Sequence, residues 1–440
     1  MRGVKTRECA VRILSLVLDQ GKTFDQAWQT ALNSRTGQPK GFSKRDLAFI
    51  RKLVMGVFRN LPELDHLLKA QLRRWPKSTR IVHILRLSAG QILLMHTPAY
   101  SVITTALGLI GKHDPARGLV HAIVSKIARE PALLPNVQTC QFYGFPEEFY
   151  RQLHKHWRDD QICSMRQSML EPPMIDLCVR RQAGLRERLA RDLAGNPTGV
   201  QGLRLGLDPG SVRLDDADGY QQGLWWVQDA AAQLAVQILH PGPKELVLEF
   251  CAAPGGKTMQ MLDDGAKVIA IDNHHQRCVR LFENLVRTGY LEAGAMAGPN
   301  ITIHRGDGLQ FRPDQRYSAI LLDAPCSASG TIRRNPELPL RFDFEHLPRL
   351  IMLQGQLLRH ASTLLEAGGR LVYCVCSLFE EEGEAQITKL CAEVPELVRV
   401  PIDPERIGAS FADAISGDRL SLRTHPGQAM DGFYIAMIGR

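Results

Sequence analysis

Apolar residues recur at helical spacing through the first 130 residues of the chain. The run Val11, Leu14, Val17 and Leu18 is typical, because it lays one apolar stripe along a helix. Short breaks that contain Pro or Gly interrupt the pattern at residues 36–39, 74–76 and 96–98. We therefore predict an all-α helical bundle over residues 1–135.

The pattern changes after residue 245, where short apolar runs alternate with helical segments. The predicted strands are Glu245–Phe250, Lys267–Ile271, Ile301–His304, Ala319–Asp323 and Arg370–Cys374. The predicted helices are Thr258–Leu262, His275–Thr288, Leu347–Leu365 and Glu382–Val394. This alternation predicts an α/β Rossmann-like domain with a parallel, doubly wound sheet over residues 226–440. Gly368-Gly369 is predicted as a turn before the last parallel strand, and Asp431–Ile438 as an antiparallel edge strand.

A mixed region lies between the two patterns. Three prolines, Pro131, Pro135 and Pro146, predict a linker over 131–146. After it, strand-like runs at Met174–Arg180 and Gly223–Val227 predict a small α+β, RRM-like subdomain over 145–225. The chain is therefore expected to be multidomain, which its 440 residues also favour.

The positive charge of the chain is concentrated at its start. Residues 1–135 hold 22 Lys and Arg against 8 Asp and Glu, whereas the remaining residues hold 32 against 38. A basic first third is typical of a module that binds a polyanion such as a nucleic acid, although a solvated basic surface gives the same count.

The chain shows no sign of a membrane or secreted protein. It has no apolar run of the roughly 18 residues that a membrane span requires, and its first residues lack a signal-like apolar core. We therefore expect a cytoplasmic monomer without membrane contact. The ten cysteines show no Cys-x-x-Cys spacing, which predicts reduced thiols and no metal site.

A glycine-rich turn follows the first strand of the predicted sheet. Cys251-Ala252-Ala253-Pro254-Gly255-Gly256-Lys257 joins that strand to a helix, and its glycines let the backbone approach a ligand closely. A phosphate-binding P-loop would need a glycine at the position of Cys251, and no complete G-x-G-x-x-G pattern is present. The turn therefore predicts a cofactor site that differs from both nucleotide-binding motifs.

Three acids mark the ends of the next strands. Asp272 is placed to accept hydrogen bonds from a ribose diol, Asp307 to meet an adenine edge, and Asp323 ends the fourth strand. Each acid alone is more often a helix cap or a loop residue. Together, acids with little local positive charge favour a neutral or cationic nucleoside over a pyrophosphate, and S-adenosyl-L-methionine fits that description.

Two cysteines end two different strands, fifty residues apart. Cys326 follows the strand that ends at Asp323, and Cys376 follows the strand of Cys374. A free cysteine is usually a small buried apolar residue, which is our interpretation of Cys374. For Cys326 and Cys376 we favour chemistry, since both lie at the edge of the sheet that binds the cofactor.

These segments resemble the motifs of a known family. Ala253-Pro254-Gly255-Gly256-Lys257-Thr258, Asp323-Ala324-Pro325-Cys326-Ser327 and Tyr373-Cys374-Val375-Cys376-Ser377 resemble motifs of the RNA cytosine-5 methyltransferases, and Val227-Gln228-Asp229 and Asp431-Gly432-Phe433-Tyr434 match further blocks. Residues Asp46–Ile50 and Gly56–Arg59 resemble the NusB fold, an RNA-binding bundle. A NusB-like domain joined to such an enzyme is the layout of the RsmB/Sun/Fmu type of 16S rRNA methyltransferase.

The resemblance implies a reaction and roles for several residues. Methyl transfer from S-adenosyl-L-methionine to C5 of a 16S rRNA cytosine, at the cytosine-967 site, is expected to pass through a covalent adduct at C6. Cys376 would be the nucleophile and Cys326 would assist its release. Asp323 would bind the cytosine edge or the methionine amine, and Lys257 would favour the thiolate or meet the base or a phosphate.

The chain departs from the family pattern at three places. Ala328-Ser329-Gly330 stands where Gly-Thr-Gly is usual, Val375 where Thr is frequent, and Ala231 and Ala232 where Ser is frequent. These changes between small residues leave loop geometry and substrate fit as open questions.

The RNA contacts and the function have alternatives. Arg333, Arg334 and Arg180 are candidates for phosphate contacts, although each is more often a solvated charge. The same chemistry on a tRNA cytosine is one alternative function. A non-catalytic RNA-binding or antitermination factor is another, and the intact cysteines and acids argue against it.

Overall fold

The computed structural model describes residues 2–32, 41–130, 134–136, 138, 140–206 and 214–440. The predicted break at 36–39 lies outside these ranges, as does part of the predicted linker at 131–146. Contacts divide the chain into two compact units that do not follow sequence order. The first unit holds Met1–Glu171 and Ile332–Phe342, and the second holds Pro172–Thr331 and Asp343–Arg440.

The first unit is a bundle of helices. They are α1 Arg2–Leu18, α2 Phe24–Ala31, α3 Lys44–Arg59, α4 Leu61–Gln71, α5 Thr79–Leu93, α6 Ala99–Gly108, α7 Ala116–Arg129, α8 Glu147–His154 and α9 Asp159–Leu170. Thr23 and Ser43 begin α2 and α3 with capping boxes, in which each hydroxyl accepts a backbone N–H. The apolar stripes of α1 to α7 meet in one core, as the helical spacing predicts. Helices α8 and α9, from the region predicted as a separate subdomain, also belong to this unit.

A short segment from late in the chain completes the first unit. The backbone N–H of Phe24 donates to Glu337, with 3.4 Å between nitrogen and oxygen. The ring of Phe342 meets Phe149 edge to face at 5.4 Å, and Leu340 packs on the helical core. The chain therefore leaves the second unit after Thr331 and re-enters it at Asp343.

The second unit begins with a small antiparallel sheet. Its strands are β1 Ile175–Val179, β2 Gly195–Thr198, β3 Gly202–Leu205 and β4 Trp225–Val227, in the order β2-β3-β1-β4. Helix α10, Leu185–Asp192, packs Leu185 and Leu189 against this sheet. Helix α11, Ala230–Leu239, follows, and Asp229 caps its start, because the Asp229 carboxylate accepts the N–H of Ala231 at 3.0 Å.

The second unit continues as an alternating α/β domain. Its strands are β5 Leu246–Phe250, β6 Lys267–Asp272, β7 Ile301–Arg305, β8 Tyr317–Asp323, β9 Leu365–Val375, β10 Val398–Val400, β11 Leu422–Arg423 and β12 Tyr434–Gly439. Its helices are α12 Gly256–Asp263, α13 His275–Arg287, α14 Leu347–Thr363, α15 Glu384–Glu393 and α16 Pro404–Ile407. This confirms the predicted fold class.

The large sheet is parallel at its centre and places the site. The strand order is β10-β12-β9-β8-β5-β6-β7, with parallel pairing from β9 through β7. The order reverses between β5 and β8, and the carboxyl ends on either side of such a reversal form a crevice for ligands. Apolar residues fill both faces, with Val247 and Leu321 on one side and Leu248 and Leu322 on the other.

Two predictions about this sheet were wrong. Gly368-Gly369 lies within β9, where the pairing with β8 shifts register, so it forms an irregularity in a strand and not a turn before it. Strand β12 is not an edge, because it pairs with β9 and also with β10 and β11. No helix of the described residues has the length and apolar character to cross a membrane.

Candidate active site

The glycine-rich turn connects β5 to α12 at the crevice. Gly255 has φ of +101° and precedes the first residue of α12, and a Cβ on it would lie 2.6 Å from Leu281 Cδ1. Only glycine fits this backbone and this close packing. The Ala253–Pro254 peptide bond is cis. Burial raises the pKa of the Cys251 thiol to about 12, so this turn offers a ligand its backbone and not a reactive sulfur.

Asp272 lies directly beside the turn at the end of β6. Its carboxylate accepts the N–H of Ala253 at 3.2 Å and that of His274 at 2.9 Å. Arg277 Nη2 also lies 4.0 Å from Oδ2, and a carboxylate has about four acceptor positions, so Asp272 has capacity beyond these two hydrogen bonds. Asp307 follows β7, is exposed, and caps a short 3₁₀ turn through the N–H of Leu309 at 3.0 Å. The structure thus places both acids at consecutive strand ends.

Lys257 and Asp323 form an ion pair at the end of β8. Lys257 Nζ lies 2.7 Å from Asp323 Oδ2, and it also lies 5.4 Å from the ring centre of Phe433. Burial alone would lower the pKa of Lys257, but the Asp323 carboxylate outweighs burial and raises it. The lysine is therefore a permanent cation in a largely buried site.

Cys374 is more than the packing residue that the sequence predicts. Its Sγ donates to Asp323 Oδ1 at 3.4 Å, and burial raises the pKa of this thiol well above its ordinary value. The protonated thiol and Lys257 together fix both oxygens of Asp323.

The thiols of Cys326 and Cys376 face each other. Their Sγ atoms are 3.4 Å apart, and both residues are half-buried. The hydrogen bond to Cys376, together with burial, raises the pKa of the Cys326 thiol well above its ordinary value. The raised pKa favours the protonated form of Cys326, and either sulfur can donate in the hydrogen bond between them. The two sulfurs that the sequence places at separate strand ends form one pair.

Several residues at the site have no counterpart among the sequence predictions. Glu382, fully buried, accepts hydrogen bonds from Ser327 and Ser377, which directly follow the two cysteines. Glu249 in β5 accepts the hydroxyl of Thr258 at 2.6 Å, and burial raises its pKa to about 8. The acidic run Glu380-Glu381-Glu382, close behind Cys376, is the signal that the sequence offered for the first of these acids.

The segment Ala328-Ser329-Gly330, which departs from the family pattern at its first two positions, is held by close backbone contacts. Gly330 donates its N–H to the oxygen of Cys376 at 3.0 Å and accepts that of Gly432 at 2.8 Å. A Cβ on Gly330 would lie 1.9 Å from the Gly432 oxygen, so this glycine is required. Ala328 has φ of 56°, a left-handed conformation that favours the glycine usual there. Ser329 is buried and accepts the N–H of Leu378 at 2.9 Å.

The candidate phosphate contacts differ in exposure and in partners. Arg333 is 3% exposed, so its side chain is turned away from solvent, and its phosphate contact stays a prediction. Its backbone oxygen accepts Arg59 Nη1 at 2.9 Å within the first unit. Arg180 donates to the oxygen of Thr288 and lies over the ring of Tyr290, so its guanidinium supports the fold. Arg334 is exposed and stays a candidate.

Comparison with known proteins gives the family. "Ribosomal RNA small subunit methyltransferase B" of Citrobacter koseri is 31% identical over 415 residues, which cover 90% of this chain and 92% of that protein. The protein of the same name from Xanthomonas campestris is 29% identical and covers 99% and 97%. A family model described as 16S rRNA methyltransferase RsmB/F matches residues 236–439. The chain belongs to the RsmB/F family. A NusB family model matches residues 4–129 of this RsmB/F chain, within its helical unit.

Solved structures agree with this RsmB/F fold. The crystal structure of PH0851 covers 100% of this chain and 98% of its own, with a TM-score of 0.74 and 21% identity. NSun6 from Pyrococcus horikoshii, solved with SFG, covers 67% of this chain and 98% of its own, with a TM-score of 0.57 and 18% identity. These confirm the predicted architecture, and the family confirms the predicted enzyme class: an rRNA methyltransferase.

Proposed function

We propose that this enzyme methylates C5 of a cytosine in 16S rRNA through a covalent adduct with Cys376. The observation that supports this most is the pair of sulfurs 3.4 Å apart at the carboxyl edge of the sheet. The proposed target is the cytosine-967 site, by analogy with the family.

The cofactor in this proposal is S-adenosyl-L-methionine. Asp272 retains acceptor positions beside the glycine-rich turn, which suits a ribose diol. Asp307 is exposed at the next strand end, which suits an adenine amine. The carboxylates of this edge thus suit a nucleoside with a cationic tail. The structure of NSun6 was solved with SFG, an analogue of this cofactor. When bound, the cofactor supplies the methyl group.

Cys376 acts as the nucleophile in this proposal, as the resemblance to the family implies. The hydrogen bond to Cys376, together with burial, raises the pKa of the Cys326 thiol, which suits Cys326 to the role of the partner that carries a proton. Addition of the Cys376 sulfur to C6 makes C5 electron-rich. After methylation the C5 proton passes to a base and the C6–S bond breaks. The Cys326 S–H, hydrogen-bonded to the departing sulfur, stabilises the thiolate that leaves.

Asp323 and Lys257 have proposed roles beside this pair. With both oxygens of Asp323 engaged by Lys257 and Cys374, the carboxylate is held in one orientation. We assign it to the amino edge of the cytosine, and we assign Lys257 to holding the Asp323 carboxylate in place.

Trapping with RNA that carries 5-fluorocytosine tests the cysteine roles, because fluorine at C5 blocks release. We expect Cys376→Ala to abolish the adduct and methylation. Cys326→Ala should still form an adduct and should accumulate it even with ordinary cytosine. Cys391→Ala, a half-buried thiol of α15, is the matched control and should behave as wild type. An adduct in Cys376→Ala would overturn the assignment.

Bisulfite sequencing of rRNA and tRNA from a deletion strain tests the substrate. Loss of one 16S rRNA methylcytosine supports the proposal, and loss of a tRNA methylcytosine alone contradicts it. An unchanged methylation pattern would favour a non-catalytic RNA-binding factor.

Arg334 tests the proposed RNA contact. We expect Arg334→Ala to weaken RNA binding and to reduce the slope of log affinity against log salt by about 1, as for one lost phosphate contact. Unchanged binding across salt concentrations would remove Arg334 from the interface.

A further inference from the structure

Glu382 is a buried acid held by neutral donors. It ends the turn Glu380–Glu382 before α15 and has 0% exposure. Oε1 accepts the backbone N–H of Ser327 at 2.8 Å and Nε2 of Gln354 at 2.9 Å. Oε2 accepts the hydroxyls of Ser327 and Ser377, each at 2.5 Å. None of these donors carries a charge, so the acid is stabilised by hydrogen bonds.

The carboxylate joins the two loops that carry the thiols. Ser327 follows Cys326 and Ser377 follows Cys376, so each loop is fixed to Glu382 one residue beyond its sulfur. Ser329 adds a second link, because its hydroxyl lies 3.0 Å from that of Ser327 and 3.2 Å from that of Ser377. Gln354 of α14 anchors the carboxylate from a third element. The carboxylate therefore links the two loops beside the sulfurs without touching either sulfur.

We propose that Glu382 is a positioning residue that sets the distance between Cys326 Sγ and Cys376 Sγ for catalysis. This inference rests on the proposed function, which gives those two thiols their roles. Thiol chemistry requires positions held within about 0.5 Å, and the loops have no covalent link to each other outside the main chain. A displacement of about 1 Å at reacting atoms costs up to about 100-fold in rate.

A carboxylate suits this position better than an amide of the same shape. Two of its donors, the Ser327 N–H and Gln354 Nε2, cannot accept a hydrogen bond, whereas the two hydroxyls can rotate to accept one. The side chain of Glu382→Gln therefore has one suitable orientation: its oxygen faces the two N–H donors, and its NH2 group donates to the two serine hydroxyls after they rotate. The substitution keeps the volume of the side chain. We expect it to fold with a loosened Ser327–Ser377 connection.

The test compares Glu382→Gln with Glu245→Gln. Glu245 precedes β5 at the opposite end of the sheet, where it binds Ser318 and Arg370, so its loss weakens the fold away from the thiols. The first readout is the rate of Cys326–Cys376 disulfide formation with diamide, a thiol oxidant, which depends on the distance between the sulfurs and is compared at a fixed pH because it also depends on their thiolate fraction. The second is adduct formation on RNA that carries 5-fluorocytosine. S-adenosyl-L-methionine binding is measured alongside.

For Glu382→Gln we expect both rates to fall about ten-fold, with cofactor binding unchanged. Glu245→Gln should leave both rates as in wild type. Wild-type rates of disulfide and adduct formation in Glu382→Gln would overturn the proposal. If Glu382→Gln does not fold, Ser377→Ala removes one of the four bonds and should lower both rates about three-fold; a folded Ser377→Ala with wild-type rates contradicts us.

The failure of the proposed chemistry remains distinguishable from the failure of this inference. An adduct that persists in Cys376→Ala would disprove the assigned nucleophile. The disulfide rate would still report whether Glu382 sets the distance between the sulfurs.

Discussion

The helical unit and the methyltransferase unit each bury carboxylates, and they stabilise them differently. In the helical unit, Glu63 lies 2.6 Å from Arg166, and both side chains are 2% exposed. In the methyltransferase unit, Glu249 and Glu382 are equally buried but accept hydrogen bonds from hydroxyls and an amide. An ion pair in the helical unit thus contrasts with neutral hydrogen bonding in the methyltransferase unit.

This difference separates a structural charge from a responsive one. Burial raises the pKa of Glu63, while the charge of Arg166 acts to lower it. Burial raises the pKa of Glu249 to about 8, so its charge changes near neutral pH. The methyltransferase unit therefore carries, through Glu249, a pH dependence of stability near neutral pH.

Breaking the ion pair of the helical unit gives the largest expected effect on stability. Arg166→Met leaves Glu63 as an uncompensated buried acid and should destabilise this unit by about 3–5 kcal/mol. Denaturant unfolding followed by hydrogen exchange in α4 and α9 measures it. The double variant Glu63→Leu/Arg166→Met should recover most of the loss, and a double variant as unstable as the single one would show that packing, not charge, is decisive.

Glu249→Gln should reveal the pH dependence of the methyltransferase unit. Its folded pKa of about 8 exceeds the unfolded value, so wild type loses stability as pH rises from about 5 to 8, while the unfolded chain releases this proton first. Over that pH range the free energy of unfolding of the variant should rise relative to that of wild type by a few kcal/mol. Melting temperatures of both proteins at pH 5.5 and 8 measure the gain.

Glu245→Gln provides the control for that experiment. The Glu245 pKa is lowered to about 2, because Arg370, Ser318 and the N–H of Gly242 outweigh its burial. Its titration is complete below pH 5, so the difference from wild type should be constant between pH 5.5 and 8. An equal pH trend in both variants would contradict the assignment to Glu249.

A smaller gain is expected from Ala328→Gly in the Cys326 loop. Ala328 holds φ of 56°, which costs an L-residue about 1–2 kcal/mol, and glycine recovers part of this at an entropic cost. We expect about 0.5–1 kcal/mol of added stability in thermal unfolding. A loss of stability would mean that the Ala328 methyl group contributes packing that outweighs the backbone strain.

The smallest effect should come from an exposed ion pair of the helical unit. Glu8 and Arg80 are 2.6 Å apart, with side chains 48% and 46% exposed. Glu8→Gln should change stability by less than about 1 kcal/mol, since water screens the pair. A loss near that of Arg166→Met would show that burial does not explain the contrast between the pairs.

The sequence was informative where function depends on strand ends. The glycine-rich turn, Asp272, Asp323, Cys326 and Cys376 are each adjacent to an apolar run, and parallel strands bring such ends to one edge. Hydrophobic periodicity therefore predicted the fold class, and it marked the strand ends that carry the candidate site residues.

The sequence was silent where function depends on side chains that meet across long separations. Glu382 was predicted only as the start of a helix, because no local sequence pattern shows which serines donate hydrogen bonds to a buried acid. Arg333 appeared as a surface charge because polarity alone does not show that its segment packs inside the helical unit. The place of β12 depended on strands too short to be recognised, such as β10 and β11.

The segment Ile332–Phe342 has a consequence for how this enzyme is divided into fragments. An expression fragment that begins at Pro172 would keep every catalytic residue named above and would leave Leu340 and Phe342 without the helical surfaces that cover them. Such a fragment would expose these two apolar side chains, which lie 14 and 16 residues beyond Cys326 in the sequence. The two units do not follow sequence order, so we expect that residues 172–440 expressed alone would not fold as well as they do in the whole chain. Exchange of the first 171 residues between relatives should therefore be made together with residues 332–342.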